Sequence, residues 1–145
     1  MGSWTDFVGD EYKSFSGTAV YTTTINKVPV ADVINLDLGS VAENASVYLN
    51  GDYIGTVIDS PYQLYIPAEK FKGQDELVVR VANSMANRIA YMDKKGVDWK
   101  IFYNVNMSAR KKENVKNGIF DASDWEPKSS GLLGPVTLTP AMVKQ

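Results

Sequence analysis

Along much of this chain apolar and polar residues alternate, and alternation with a period of two marks a strand with one buried face. The clearest instance is ASVYLNGDYIG, residues 45–55, where Val47 and Leu49 alternate with Ser46, Tyr48 and Asn50. Asn50-Gly51 then supplies a dipeptide that tolerates positive φ at both turn positions, as the tight hairpin turn that matches strand twist requires. Tyr53, Ile54, Val57 and Ile58 begin the return strand. Residues 17–26 (GTAVYTTTIN) are rich in Thr, Val and Tyr, which suit a pleated, half-buried surface. Ile34, Leu36 and Leu38 point one way while Asn35 and Asp37 point the other. Residues 62–66 lie between Pro61 and Pro67, and in 76–82 Leu77, Val79 and Val81 share a face. Residues 100–107 and 135–139 complete a set of about eight short strands, which predicts an all-β, antiparallel sandwich or jelly roll.

Two segments break this rhythm. In 83–95 Met85, Ile89 and Met92 recur at helical spacing, and Gly96 can end the helix. Residues 109–132 are basic, rich in Asn and punctuated by Gly, which predicts a long loop. Insertions of this kind gather at the ends of a sandwich and are the usual place for function. The expected organisation is a leader or cloning remnant over 1–12, suggested by the polar start after Met1-Gly2-Ser3, and a single domain over 13–145.

Composition narrows the chemistry. The 145 residues contain no His and no Cys, which excludes a Ser-His-Asp triad, imidazole or thiolate metal sites, thiol nucleophiles and disulfides. Catalysis would have to run on Asp, Glu, Lys, Arg or Tyr, and a carboxylate pair suffices for glycoside hydrolysis. A net charge of −2 argues against a grip on nucleic acid or an anionic membrane. No apolar run is long enough to span a bilayer as a helix.

Four stretches carry a resemblance when taken in order: FSGTAVYTTTI at 15–25, VINLDLGSVAENASVYLNGDYIGT at 33–56, SPYQLYIPAEKFKGQDELVVRVAN at 60–83 and SGLLGPVTLTP at 130–140. Together they resemble the sugar-binding jelly-roll domain, of galactose-binding-like type, of family 2 glycoside hydrolases and related α-L-rhamnosidases. NRIAYMDKKGVDWKIFYNVN, 87–106, is similar to the terminal sandwich of some α-L-rhamnosidase-type hydrolases in particular. The resemblance implies a non-catalytic, carbohydrate-binding or accessory module of a secreted or periplasmic bacterial hydrolase. It also implies that the catalytic carboxylates sit on a separate (β/α)₈ barrel, the partner of this chain, and that the chain alone hydrolyses nothing. Residues just after the Leu/Val-rich strand approach the barrel's active site in that family, which here means Asn83 and the segment to Arg88. A fold likeness of this kind is an analogy for function.

Sugar recognition needs an aromatic face and polar groups for hydroxyls, and Trp is the best platform. Trp99, flanked by Asp98 and Lys100, reads either as packing at a strand start or as such a platform. Trp125, in the turn-rich DASDWEP, reads as a loop anchor or a platform, and Trp4 as packing in the leader. Asn87-Arg88 offers a polar pair; Arg88 can fork onto hydroxyls or a carboxylate, or pair with Asp93 or Asp98. Tyr91 and Tyr103 offer stacking or hydroxyl contacts, against a packing role. The binding residues expected are thus Asn83, Asn87, Arg88, Asp98, Trp99, Tyr103 and Trp125. No cofactor is expected, and the partners are carbohydrate and the barrel, with the chain a monomer. Asp121, Asp124 and Glu126 supply hard oxygens of the kind a structural calcium takes, but their spacing matches no calcium loop and solvated turn carboxylates are the expectation. Asp121 and Asp124 are also the best acid/base pair for an alternative reading as a small jelly-roll glycanase or lyase. A third reading is a bracing domain without sugar affinity. The run Arg110-Lys111-Lys112, with Lys116 nearby, reads as a solvated loop or a contact for an anionic glycan.

Overall fold

A computed structural model describes residues 1–101 and 111–141. The chain divides into two compact units, one made of residues 1–4, 17–83 and 129–145 and the other of 5–16 and 84–128.

The first unit is an antiparallel β-sandwich. Strands β1 (Thr18–Ile25), β7 (Asp75–Ala82), β4 (Asn44–Leu49) and β5 (Asp52–Val57) form one sheet in that order. β11 (Thr137–Pro140), β2 (Val33–Asp37) and β6 (Gln63–Pro67) form a second, and β10 (Gly131–Gly134) pairs with β3 (Ser40–Ala42). The period-two pattern decides which faces meet. Across β4 and β7, Ala45 lies opposite Val81, Val47 opposite Val79 and Leu49 opposite Leu77, and all six are buried. Leu36 and Ile66 of the second sheet, with Leu38 and Leu132, are fully or almost fully buried in the same core. Burying such side chains contributes about 2 kcal/mol each.

The β4–β5 hairpin turns where the sequence placed it, with Asn50 at φ 53° and Gly51 at φ 86°. Asn50 also fastens this turn to the next strand. Its Nδ2 donates to Asp75 at 2.7 Å, its Oδ1 accepts from the Glu76 amide at 2.9 Å, and its own amide donates to the Glu76 carbonyl at 2.8 Å.

Asn83 and Ser130 mark where the chain leaves and rejoins the sandwich. The Asn83 Nδ2 donates to Ser130 Oγ at 3.1 Å and its Oδ1 accepts from the Gly17 amide at 3.0 Å. The Trp4 amide donates to the Ser130 carbonyl at 3.0 Å, and the Trp4 ring is buried. The ends of both excursions, 5–16 and 84–128, are thereby tied to one junction.

The second unit holds α1 (Asp10–Lys13), α2 (Ala86–Lys94) and a small hairpin of β8 (Val115–Lys116) and β9 (Ile119–Phe120). Helix α2 starts later than the periodicity predicts, and Met85, at its N-cap, is 56% exposed. Its buried residue is the polar Asn87, because that amide has a partner inside the unit. Gly96 does end the helix. At φ 66° it lets the Val97 amide reach the Met92 carbonyl (2.9 Å) and its own amide reach that of Asp93 (3.1 Å), the paired bonds of a Schellman cap. The stretch expected as a loop, 109–132, contains β8, β9 and β10. The β8–β9 turn is a second Asn-Gly pair, Asn117 at φ 52° and Gly118 at φ 78°. Of the strand expected at 100–107, Lys100 and Ile101 are not in strand conformation and the remainder lies outside the described residues. Among the described residues no helix is long and apolar enough to cross a membrane.

Candidate functional site

Trp125 organises the second unit's surface. Its backbone amide closes a turn on the Ala122 carbonyl at 3.0 Å, its indole Nε1 donates to Asn114 Oδ1 at 2.9 Å, and its ring meets Phe120 edge-on at 5.8 Å between centroids. Asn114 is itself fixed, since it is buried and its carbonyl accepts from the Asp121 amide at 2.8 Å. The indole is therefore held in one orientation while staying half-exposed.

A cleft of about 340 Å³ opens beside it, walled by Tyr91 and Trp125 and rimmed by Asp10, Lys13, Asn87, Lys94, Asp124 and Glu126. Helix α2 supplies one wall and the 121–128 loop the other, and Asn87 joins them. Its Nδ2 donates to the Lys128 carbonyl and its Oδ1 accepts from the Lys128 amide, both at 2.8 Å. Cations flank the Tyr91 ring, with the Arg88 guanidinium 5.7 Å and the Lys95 ammonium 5.5 Å from its centroid. Two aromatic walls with a charged and amide rim can hold a sugar ring by its C–H face and its hydroxyls.

Asp93 is the residue that sequence reasoning undervalued, treating it only as a partner for Arg88. Its side chain is 1% exposed. Oδ1 accepts from Trp99 Nε1 at 2.7 Å and from Lys100 Nζ at 2.6 Å, and Oδ2 accepts from the Ala122 amide at 2.8 Å. One buried carboxylate thus ties the end of α2 to residues 99–100 and to the Trp125 loop. An Asp in the last turn of a helix, where the dipole disfavours it, was the available signal that a specific partner must exist.

The structure distributes the other expected binding residues. Asn87 and Trp125 line the 340 Å³ cleft together. Arg88 is exposed beside a shallower hollow with Glu11, Phe15 and Met85, and makes no ion pair among the described residues. Trp99 commits its indole N–H to Asp93, with Lys100 Nζ 5.3 Å from its ring, and Asp98 is exposed; neither lines that cleft. Asn83 belongs to the sandwich unit, where its amide holds the junction described above. Tyr103 lies outside the described residues.

Lys116 takes the place between the acids that a cation would need. Its ammonium lies 3.3 Å from Asp121 and 3.2 Å from Asp124. The Ser123 hydroxyl, above all, holds the Asp121 carboxyl below its ordinary value; burial opposes this, and the Ser123 amide and Lys116 add to it. A carboxylate so stabilised is a poor proton donor, whereas a general acid for glycoside cleavage needs its pKa raised. Among the described residues no three acidic side chains gather as a metal site.

No family model matches the chain. A curated protein of Formosa agariphila, described as "Putative beta-glucuronidase", is 33% identical over 95% of this chain, which spans 13% of that protein. The rhamnosidase structure from Novosphingobium sp. PP1Y is 29% identical with a TM-score of 0.73, over 94% of this chain and 12% of the rhamnosidase. The chain is homologous to a small part of far larger glycoside hydrolases. A β-glucuronidase of Ruminococcus gnavus aligns with 57% of this hydrolase-related domain at 24% identity and a TM-score of 0.48. The resemblance read from the strand order stands, as does the antiparallel sandwich.

Proposed function

We propose that this chain is a non-catalytic accessory domain of a secreted or periplasmic bacterial glycoside hydrolase, and that it holds carbohydrate in the cleft between Tyr91 and Trp125. The observation that carries the accessory reading is coverage: 94–95% of this chain matches only 12–13% of each hydrolase. What supports carbohydrate is the cleft. Its volume falls in the range of small-ligand sites, about 300–1,000 Å³, and it pairs aromatic walls with a polar rim. Hydrolysis by the chain alone is not expected, because the nearest candidate pair, Asp121 and Asp124, shares the Lys116 ammonium.

A glycan array probed with the purified chain, first with calcium and then with chelator, tests this. A hit, confirmed by a change in Trp fluorescence on titration, supports a binding module; a reducing-sugar assay on the same glycans should stay blank. A blank array from a folded chain removes the carbohydrate half.

A second reading, bracing of a catalytic barrel, is favoured by the outer face of the four-stranded sheet. Val20 and Tyr53 are 59% and 60% exposed there, and Tyr53 packs edge-on against Tyr48 at 5.5 Å. Concentration-dependent self-association of the isolated chain, relieved by Val20→Thr with Tyr53→Thr, supports it; a monomer at all concentrations counts against it.

A further inference from the structure

Gly follows Asn at two places in this chain, Asn50-Gly51 and Asn117-Gly118, and both pairs turn a hairpin with positive φ at each residue. An Asn side chain has a reaction of its own when Gly comes next. The backbone nitrogen of the following residue can attack the side-chain carbonyl carbon, and Gly leaves that nitrogen uncrowded by a Cβ. The fold treats the two pairs differently.

Asn50 is held away from this reaction. For its Cγ to reach the Gly51 nitrogen, the bond from its Nδ2 to Asp75 (2.7 Å) and the bond from the Glu76 amide to its Oδ1 (2.9 Å) must both break. Its turn joins two six-residue strands, and β4 is paired on its other side with β7. Asn117 has neither restraint. It is exposed, and its side chain makes no hydrogen bond among the described residues. Its turn is closed only by Val115 opposite Phe120 and Lys116 opposite Ile119. A hairpin that short opens at little cost.

We infer that Asn117 is a site of spontaneous deamidation and isoaspartate formation. The Gly118 amide gives its proton to hydroxide, and its nitrogen bonds to Asn117 Cγ. The Cγ–Nδ2 bond breaks and Nδ2 leaves as ammonia, which closes a succinimide ring between residues 117 and 118. Water then opens the ring. Cleavage between Cγ and the nitrogen gives aspartate; cleavage between the backbone carbonyl carbon and the nitrogen gives isoaspartate, whose main chain runs through Cβ and Cγ. In sum, water is consumed and ammonia released.

The product matters because of what the hairpin holds. Asn114 precedes β8 and Asp121 follows β9, and the Asp121 amide donates to the Asn114 carbonyl at 2.8 Å. Asn114 Oδ1 accepts from the Trp125 indole, and Phe120 packs edge-on against that ring. An isoaspartate lengthens the main chain of a two-residue turn, and the pairing of Val115 with Phe120 depends on that turn's geometry. Trp125 thereby loses the fixed orientation it has in the unmodified chain. None of this depends on what the cleft holds.

The test ages the full chain in warm, mildly alkaline buffer and maps its peptides by mass spectrometry, with a protein isoaspartyl methyltransferase as the label for isoaspartate. In the folded chain, acid should appear at 117 at least about tenfold faster than at 50, because two hydrogen bonds must break before Asn50 can react. The rate at 117 should rise with pH. In urea, where the fold no longer separates them, the two sites should react at comparable rates. Asn117→Gly keeps a residue that accepts positive φ and removes the amide, so this variant should form no isoaspartate in the hairpin. Trp emission should shift to the red as isoaspartate accumulates in the unsubstituted chain and stay constant in the variant. Equal rates at 50 and 117 in the folded chain, or an Asn117 that reacts in urea but survives when folded, would overturn the site. Unchanged emission at high isoaspartate content would overturn its link to Trp125.

Discussion

Asp75 shows how one polar side chain can hold a corner of an apolar sandwich. It is 1% exposed and accepts from Asn50 Nδ2 at 2.7 Å, the Lys72 amide at 2.8 Å and the Gly73 amide at 3.1 Å. Burial is the largest influence on its carboxyl and pushes the pKa up; the bonds from Asn50, Lys72 and Gly73, with the Lys72 charge, together outweigh it and leave the pKa lowered. A group whose folded pKa is depressed stabilises the fold above its unfolded pKa and loses that contribution as pH falls through the folded value. Asp121, lowered chiefly by Ser123, has the same sign. Unfolding by urea should therefore become easier below about pH 4, and Asp75→Asn should flatten that dependence. Asp75→Ala should cost about 3 kcal/mol at neutral pH by stranding three donors, measured by chemical denaturation. Asp93→Asn should act locally. It removes the charge that Lys100 needs and turns a donor toward Trp99 or Ala122, at a cost of about 2–3 kcal/mol. A red shift in Trp99 emission with an unchanged sandwich signal is the expected result; unchanged emission would show that Asp93 does not order that region. Neither residue's role was legible in the sequence, because Asp75 looks like a turn residue and Asp93 like a surface charge until their partners, up to 29 residues away, are in place.

At the scale of elements, legibility followed the strength of the local pattern. The strands with two or three alternating aliphatic residues, β2, β4 and β7, could be read with their buried faces, since a one-residue slip would have turned those faces to solvent. β3 and β10 escaped because they are short, and GLLG offers no alternation. The β8–β9 hairpin escaped although Asn117-Gly118 repeats the signal of Asn50-Gly51; two-residue strands leave the turn without flanks to frame it. The helix was readable from its stop more than from its stripe. At Gly96 an added Cβ would meet nothing within 4 Å, so any loss on substitution comes from the positive φ alone. Gly96→Ala should cost about 1 kcal/mol, seen as faster amide exchange in the last turn of α2. A loss several times larger would mean that the cap also carries tertiary packing.

For the whole molecule, the contrast is between a sandwich predicted from periodicity and a second unit that periodicity did not announce. The described residues of 84–128 are held by side-chain-to-backbone bonds, such as Asn87 with Lys128 and Asp93 with Ala122, and such bonds leave no repeat in a sequence. Their point of attachment is nonetheless compact, because Asn83 and Ser130 are hydrogen-bonded although 47 positions apart. Closing a gap already that narrow needs only a short loop, and loop length adds little entropic cost. Replacing 85–128 with a short Gly-Ser loop should therefore leave a cooperatively unfolding sandwich with Trp4 as its reporter and without the cleft beside Trp125. Loss of the cooperative transition would show that the sandwich depends on what it carries.

The knot of Trp4, Gly17, Asn83 and Ser130 gives this fold the character of a socket. Whatever chain is plugged in between the two stitched positions, the sandwich receives it through the same four residues. An engineer can therefore graft a new loop between those positions without redesigning the scaffold.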